Sequence, residues 1–184
     1  LVGTRADGYH LLESVFAPIA LYDEVDLAVE PGAAGISLDC GPPWDPELPE
    51  ALHRVPSGPE NLVHRAAQLF CDRTGYRAGV SIRLRKGIPA GAGLGGGSSD
   101  AAAVLCGLRD LSGLASSPEE LARFALELGA DVPFFLAPRP ALVDVGARQP
   151  GPGRGRGGHD VLSRGFAPAW AGPAYSLWGD IKYP

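Results

Sequence analysis

Apolar and polar residues alternate along the first part of the chain and recur at helical spacing further on. From Ser14 to Val29 the chain is rich in β-branched and apolar residues, with Leu21-Tyr22-Asp23-Glu24 reading as a turn or strand junction. Val25, Leu27 and Val29 alternate with Asp26, Ala28 and Glu30, which predicts a half-buried strand. Ile36 and Leu38 suggest a partner strand after the Pro31-Gly32 turn. Residues 41–60 hold six prolines and read as a loop. Asn61 then caps a predicted helix that runs to about Thr74, with Leu62, Leu69 and Phe70 on one face and Gly75 as its stop. Val80, Ile82 and Leu84 alternate with Ser81, Arg83 and Arg85 and give the clearest strand. After a glycine-rich loop, Ala101, Val104, Leu105, Leu108 and Leu111 mark one face of a second helix. Ser117-Pro118-Glu119-Glu120 is a capping box with proline at the first helical position. The helix that it opens buries Leu121, Phe124, Ala125 and Leu128 and ends at Gly129. Val132 to Leu136 reads as a short strand or a buried apolar segment. Strands followed by clustered helices imply an α+β fold, with no alternating βαβ order.

The loop carries the chemistry. Pro89-Ala90-Gly91-Ala92-Gly93-Leu94-Gly95-Gly96-Gly97-Ser98-Ser99-Asp100 contains five glycines and joins a predicted strand to a helix beginning near Ser98. Glycine lets a backbone turn several N–H groups toward one anion, and the positive end of a helix adds to the attraction. Ser98 and Ser99 are placed to cap that helix, to donate to a phosphate or to reach a magnesium ion. Asp100 offers a metal carboxylate or favours the helix N-terminus. Gly91, Gly93 and Gly96 also satisfy the dinucleotide fingerprint, but the following helix leads into another helix where a parallel strand is required. No Gly-Lys-Ser/Thr follows the loop, so the P-loop pattern fails as well.

Bulk properties narrow the partners. The 184 residues are 45% hydrophobic and 20% charged with a net charge of −5, the profile of an ordinary globular chain without a basic footprint for nucleic acid. An anion must therefore be held by local geometry. No apolar run approaches the roughly 18 residues needed to span a bilayer, and no signal-peptide pattern opens the chain. Cys40, Cys71 and Cys106 are odd in number and widely spaced, which points to reduced cytoplasmic thiols and away from disulfides or a zinc site. His53, His64 and His159 have no companion ligands. From Gln149 the text turns Gly/Pro/Arg-rich, so residues 147–184 are expected to be poorly ordered after a domain spanning 1–146.

The glycine-rich segment resembles the second motif of the GHMP kinase superfamily, Pro-x-x-x-Gly-Leu-Gly-Ser-Ser-Ala-Ala, through Pro89, Gly93, Leu94, Gly95, Ser98, Ser99, Ala101 and Ala102. Its extra glycines, Gly96 and Gly97, resemble the diphosphocytidyl-methylerythritol kinase family in particular. Three other segments agree in order: Arg5-Ala6-Asp7-Gly8-Tyr9-His10, Glu60-Asn61-Leu62 with Ala66-Ala67, and Gly129-Ala130-Asp131-Val132-Pro133-Phe134-Phe135. The resemblance implies a mixed sheet packed on helices, the fold also found in the second domain of ribosomal protein S5. It implies ATP and Mg2+ as cofactors, and transfer of the γ-phosphoryl group to a hydroxyl of a cytidyl-diphospho sugar alcohol in isoprenoid precursor synthesis. By the same resemblance Asp131 is the general base; it lies between the helix stop at Gly129 and an apolar segment, where a cation is expected beside it. Tyr9 stacks on the cytosine and His10 hydrogen-bonds to it. Pro89, Gly91, Gly93, Leu94, Gly95, Gly96, Gly97, Ser98, Ser99, Asn61 and Lys86 line the nucleotide site, with Ser99 on the metal. A homoserine or mevalonate kinase type, or a non-catalytic nucleotide-binding remnant, stays open as an alternative.

Two departures from the family's pattern shape the expectation for activity. The family's Pro-Ala-Lys-x-Asn segment does not precede Gly3, and the family's Gly-Glu-x-Leu-x-Pro continuation does not follow Gly146. The abrupt composition of the tail suggests an out-of-frame reading of a GC-rich gene. Phosphoryl transfer depends on positioning and electrostatics, so the 184-residue chain by itself is expected to show negligible turnover.

Overall fold

A computed structural model describes residues 3–4, 10–43, 47, 49, 54–136, 141–145 and 180–181, with side chains over 16–43, 47, 49 and 54–136. In chain order the elements are strands β1 (Gly3–Thr4), β2 (His10–Phe16), β3 (Glu24–Glu30) and β4 (Ile36–Cys40), helix α1 (Leu62–Thr74), strand β5 (Gly79–Arg85), helices α2 (Gly96–Ser112) and α3 (Pro118–Leu128), a 3-10 turn (Val132–Leu136), and strands β6 (Ala141–Val145) and β7 (Asp180–Ile181). Two compact units emerge. Leu1–Ile19 with Ala137–Gly172 holds β2 between β1 and β6, both antiparallel to it. Ala20–Leu136 with Pro173–Pro184 holds the sheet β4-β5-β3-β7 and all three helices. The α+β class and the mixed sheet packed on helices are as expected. No helix among the described residues is long and apolar enough to cross a membrane. Of the expected tail only β7 is described, paired with Val25 and Asp26 of β3; the rest lies outside the described residues.

The sheet corrects one expectation. β4 does not pair with β3 across the Pro31-Gly32 turn. It runs parallel to β5, with Leu38 opposite Ile82, while β3 lies antiparallel on the other side of β5. Val80, Ile82 and Leu84 explain the insertion: all three are buried on one face, so β5 contributes most as the central strand. The 31–35 connection must then cross the start of β5. Gly79 makes room for it, because a Cβ there would lie 2.7 Å from the Ala33 Cβ.

Helices α1 and α3 form where the local signals placed them. Asn61 Oδ1 accepts from Val63 N at 2.9 Å, and Gly75 ends α1 in the left-handed region at φ 72°. Asn61 Nδ2 also donates to the Pro56 carbonyl at 2.7 Å, tying the proline-rich loop to the helix start. Asn61→Ala is expected to lower stability by about 1–2 kcal/mol, read as a lower urea midpoint at unchanged slope.

α2 is buried on all sides from Asp100 to Leu108. The small side chains of Ala101, Ala102 and Ala103 let β3, α1 and α3 pack closely around it. The one-faced helix read from the sequence is thus too narrow, and Leu111, assigned to the buried face, is 42% exposed near the helix end. The Ser117 capping box forms, with Glu120 N donating to Ser117 Oγ and Ser117 N to Glu120 Oε2. In α3, Leu121 and Ala125 are fully buried, while Phe124 and Leu128 are partly buried against the core. The Val132–Leu136 segment is buried as expected at Val132, Pro133 and Phe134, but it winds as a 3-10 turn and not as a strand. The Val132 and Phe134 amides bond three residues back, to Gly129 and Asp131.

Candidate functional site

The glycine-rich loop leaves β5 and ends at Gly95, which adopts φ 72° and caps α2 without any side-chain hydrogen bond. The Ser99 amide bonds the Gly95 carbonyl at 2.9 Å, so the amides of Gly96, Gly97 and Ser98 have no partner further back in the helix. All three residues line a cavity of about 340 Å³. Its apolar wall includes Val55, Leu62 and Leu84, while Pro89 and the residues from Gly91 to Gly95 form the loop side. Unpaired amides at the positive end of a 17-residue helix suit an anion.

The helix therefore starts two residues before Ser98, and neither serine caps it. A left-handed Gly95 makes the turn that a side-chain cap otherwise directs. Ser98 belongs to the cavity wall, whereas the Ser99 hydroxyl donates to the Gly96 carbonyl at 2.7 Å and Ser99 does not line the cavity. Among the described residues no group of three or more His, Cys, Asp or Glu could hold a metal ion.

Lys86, immediately after β5, lies against the cavity with its ammonium 2.5 Å from Asp23 Oδ2 and 2.8 Å from Asp100 Oδ2. All three side chains are buried. Asp23 Oδ1 accepts from the Gly87 and Ile88 amides at 2.7 and 2.8 Å. Burial works against the Lys86 charge, but Asp100 and Asp23 together outweigh it and hold the ammonium above its ordinary value. Burial, with Asp23 adding to it, pushes the Asp100 carboxyl up to about 8, against the pull of Lys86. The partner of Asp100 in this structure is Lys86. Asp23 went unnoticed in the sequence, where Tyr-Asp-Glu before a strand carries no signal. An aspartate opening an Ala-Ala-Ala run was the available hint for Asp100.

Asp131 sits half-buried on the turn between α3 and the 3-10 segment. A Cβ built on Gly95 would lie 3.9 Å from its Oδ2 and 2.8 Å from the Phe135 ring, so the turn abuts the junction of loop and helix. The cation expected beside Asp131 is not found among the described residues. Asn61 lines the cavity, with its amide already engaged by Val63 and Pro56. Tyr9 and the His10 side chain lie outside the described residues; the His10 backbone opens β2. Cys40, Cys71 and Cys106 form no disulfide with one another, and burial raises the Cys40 and Cys71 thiols.

Comparison with known proteins agrees with this geometry. Residues 61–138 match the family model described as the GHMP kinases N terminal domain. A 4-diphosphocytidyl-2-C-methyl-D-erythritol kinase from a Geobacter species is 42% identical over 144 residues, covering 78% of this chain and 48% of that protein. The kinase of the same name from Symbiobacterium thermophilum is 46% identical over 149 residues, covering 80% and 49%. Among solved structures, a 4-(cytidine 5'-diphospho)-2C-methyl-D-erythritol kinase matches with a TM-score of 0.59 at 45% identity, over 78% of this chain and 47% of that one. Homoserine kinase from Cytophaga hutchinsonii matches with a TM-score of 0.52 at 25% identity, over 66% and 39%. The chain spans about half the length of the relatives it matches.

Proposed function

We infer that this chain, which belongs to the GHMP kinases and carries their N-terminal domain, supplies the ATP-phosphate site of a cytoplasmic small-molecule kinase. Its acceptor is a hydroxyl of 4-diphosphocytidyl-2-C-methyl-D-erythritol, in isoprenoid precursor synthesis. The observation that carries this reading is that Gly96, Gly97 and Ser98, whose amides have no partner further back in the helix, line a cavity at the start of α2. They suit the β- and γ-phosphates of ATP. The apolar wall of Val55, Leu62 and Leu84 suits a nucleoside.

In this reading Asp131, beside Gly95, accepts the proton of the acceptor hydroxyl. Tyr9 and His10 hold the cytosine by stacking and hydrogen bonding. Magnesium bound with ATP neutralises phosphate charge. Ser98, on the wall, is better placed than Ser99 to meet the phosphates. Residues 1–146 form the working domain.

Isothermal titration of the chain tests the nucleotide site. The non-hydrolysable analogue AMP-PNP is expected to bind with preference over NAD, without measurable phosphoryl transfer when ATP and the cytidyl substrate are supplied. Absence of AMP-PNP binding, or preference for NAD, overturns the reading. For the acceptor, a protein of the relatives' full length that contains this segment should phosphorylate the cytidyl substrate and neither homoserine nor mevalonate. In that protein Asp131→Asn should lower kcat by about 10²–10⁴-fold. Homoserine is included because of the structural likeness to homoserine kinase.

A further inference from the structure

We propose that Lys86, Asp23 and Asp100 act as a positioning staple that closes the base of the glycine-rich loop and fixes where its amides stand. One ammonium joins three elements: the residue before β3, the residue after β5 and the early part of α2. The outgoing limb of the loop is held by Asp23, whose second oxygen takes both the Gly87 and Ile88 amides. Asp100 holds the returning limb, five residues beyond Gly95. Gly96 sits directly over the ammonium, since a Cβ there would lie 3.2 Å from Lys86 Nζ and 2.9 Å from Ile88 Cγ2. Gly96, which lines the cavity, thus rests on the staple. Buried hydrogen bonds of this kind meet little competition from water and permit few alternative arrangements. Lys86 contributes through the loop's shape, because both carboxylates already claim its ammonium.

The staple rests on the reading of the cavity as a polyphosphate site, and two measurements on the 184-residue chain separate the two ideas. The first compares AMP-PNP with adenosine in Asp100→Ala, which leaves Lys86 paired with Asp23. Affinity for AMP-PNP is expected to fall about tenfold, the worth of one charge-assisted hydrogen bond, while adenosine is unaffected. Asp100→Asn keeps an acceptor for Lys86 and should restore most of the loss. The second is hydrogen exchange without nucleotide. In Asp100→Ala, residues 87–99 should exchange about tenfold faster, with α1 and β3 unchanged.

Unchanged exchange in 87–99 overturns the staple whether or not nucleotide binds. Equal loss of AMP-PNP and adenosine, or no rescue by Asp100→Asn, does the same. If wild-type protein fails to bind AMP-PNP but the exchange result holds, the staple stands and the phosphate-site reading falls. Should Asp100→Ala not fold, Asp100→Ser is read by the same measurements. Failure of both to fold counts against a role confined to the loop.

Discussion

Lys86→Met is expected to destabilise the fold by about 3–5 kcal/mol at neutral pH, the cost of leaving a buried charge without its partner. Asp23 and Asp100 are buried on either side of the ammonium, and the methionine supplies neither charge nor donor. The pH dependence of the deficit distinguishes this cause from lost packing. Burial already raises Asp100 to about 8 with the lysine in place. Without the cation its folded pKa stays above the unfolded value. A raised carboxyl binds more protons folded than unfolded, so its stabilisation is present in acid and is lost as pH rises through the folded pKa. Removing the cation raises that folded pKa further, so the deficit of Lys86→Met relative to wild type should grow in urea titrations as pH rises through about 8, where Asp100 ionises in the wild type and stays protonated in the variant. A deficit that does not change with pH would assign the effect to packing alone.

Gly95→Ala is the second large effect, at about 2–5 kcal/mol with loss of AMP-PNP binding. Two costs add at this position. The left-handed φ of 72° costs an alanine roughly 1–2 kcal/mol. Its Cβ would also meet the Phe135 ring at 2.8 Å and force the turn bearing Asp131 away from the loop, an overpacking cost of about 1–3 kcal/mol. Gly91→Ala is the control, because φ there is 73° but no atom lies within 4 Å of the added Cβ. Only the conformational cost should appear in that variant. Equal destabilisation by the two, measured by urea unfolding, would show that contact with Phe135 contributes nothing.

Features set by neighbours in the chain were legible in advance. The Asn61 cap, the Gly75 stop and the Ser117 capping box each involve atoms a few residues apart, and each formed as read. The glycine-rich loop was legible for the same reason: glycines between a strand and a helix state what the backbone can do there. The start of α2 was misplaced by two residues because serine is the commoner cap. The side-chain signal outweighed the less familiar glycine cap.

What composition, periodicity and motifs determined by themselves was the α+β class, the helices, the strand β5 and the glycine-rich turn that leads into α2. These follow from local torsional preference and from spacing within a single element. Tertiary structure alone decided that β5 enters between β3 and β4, and that α2 is covered on every side. It also decided that Lys86 answers to Asp23, 63 residues away, and to Asp100, 14 residues away. The physical reason is shared by all three. A strand's partners and a buried charge's counter-ions are chosen by desolvation when distant segments meet, and no local spacing records which segments those are.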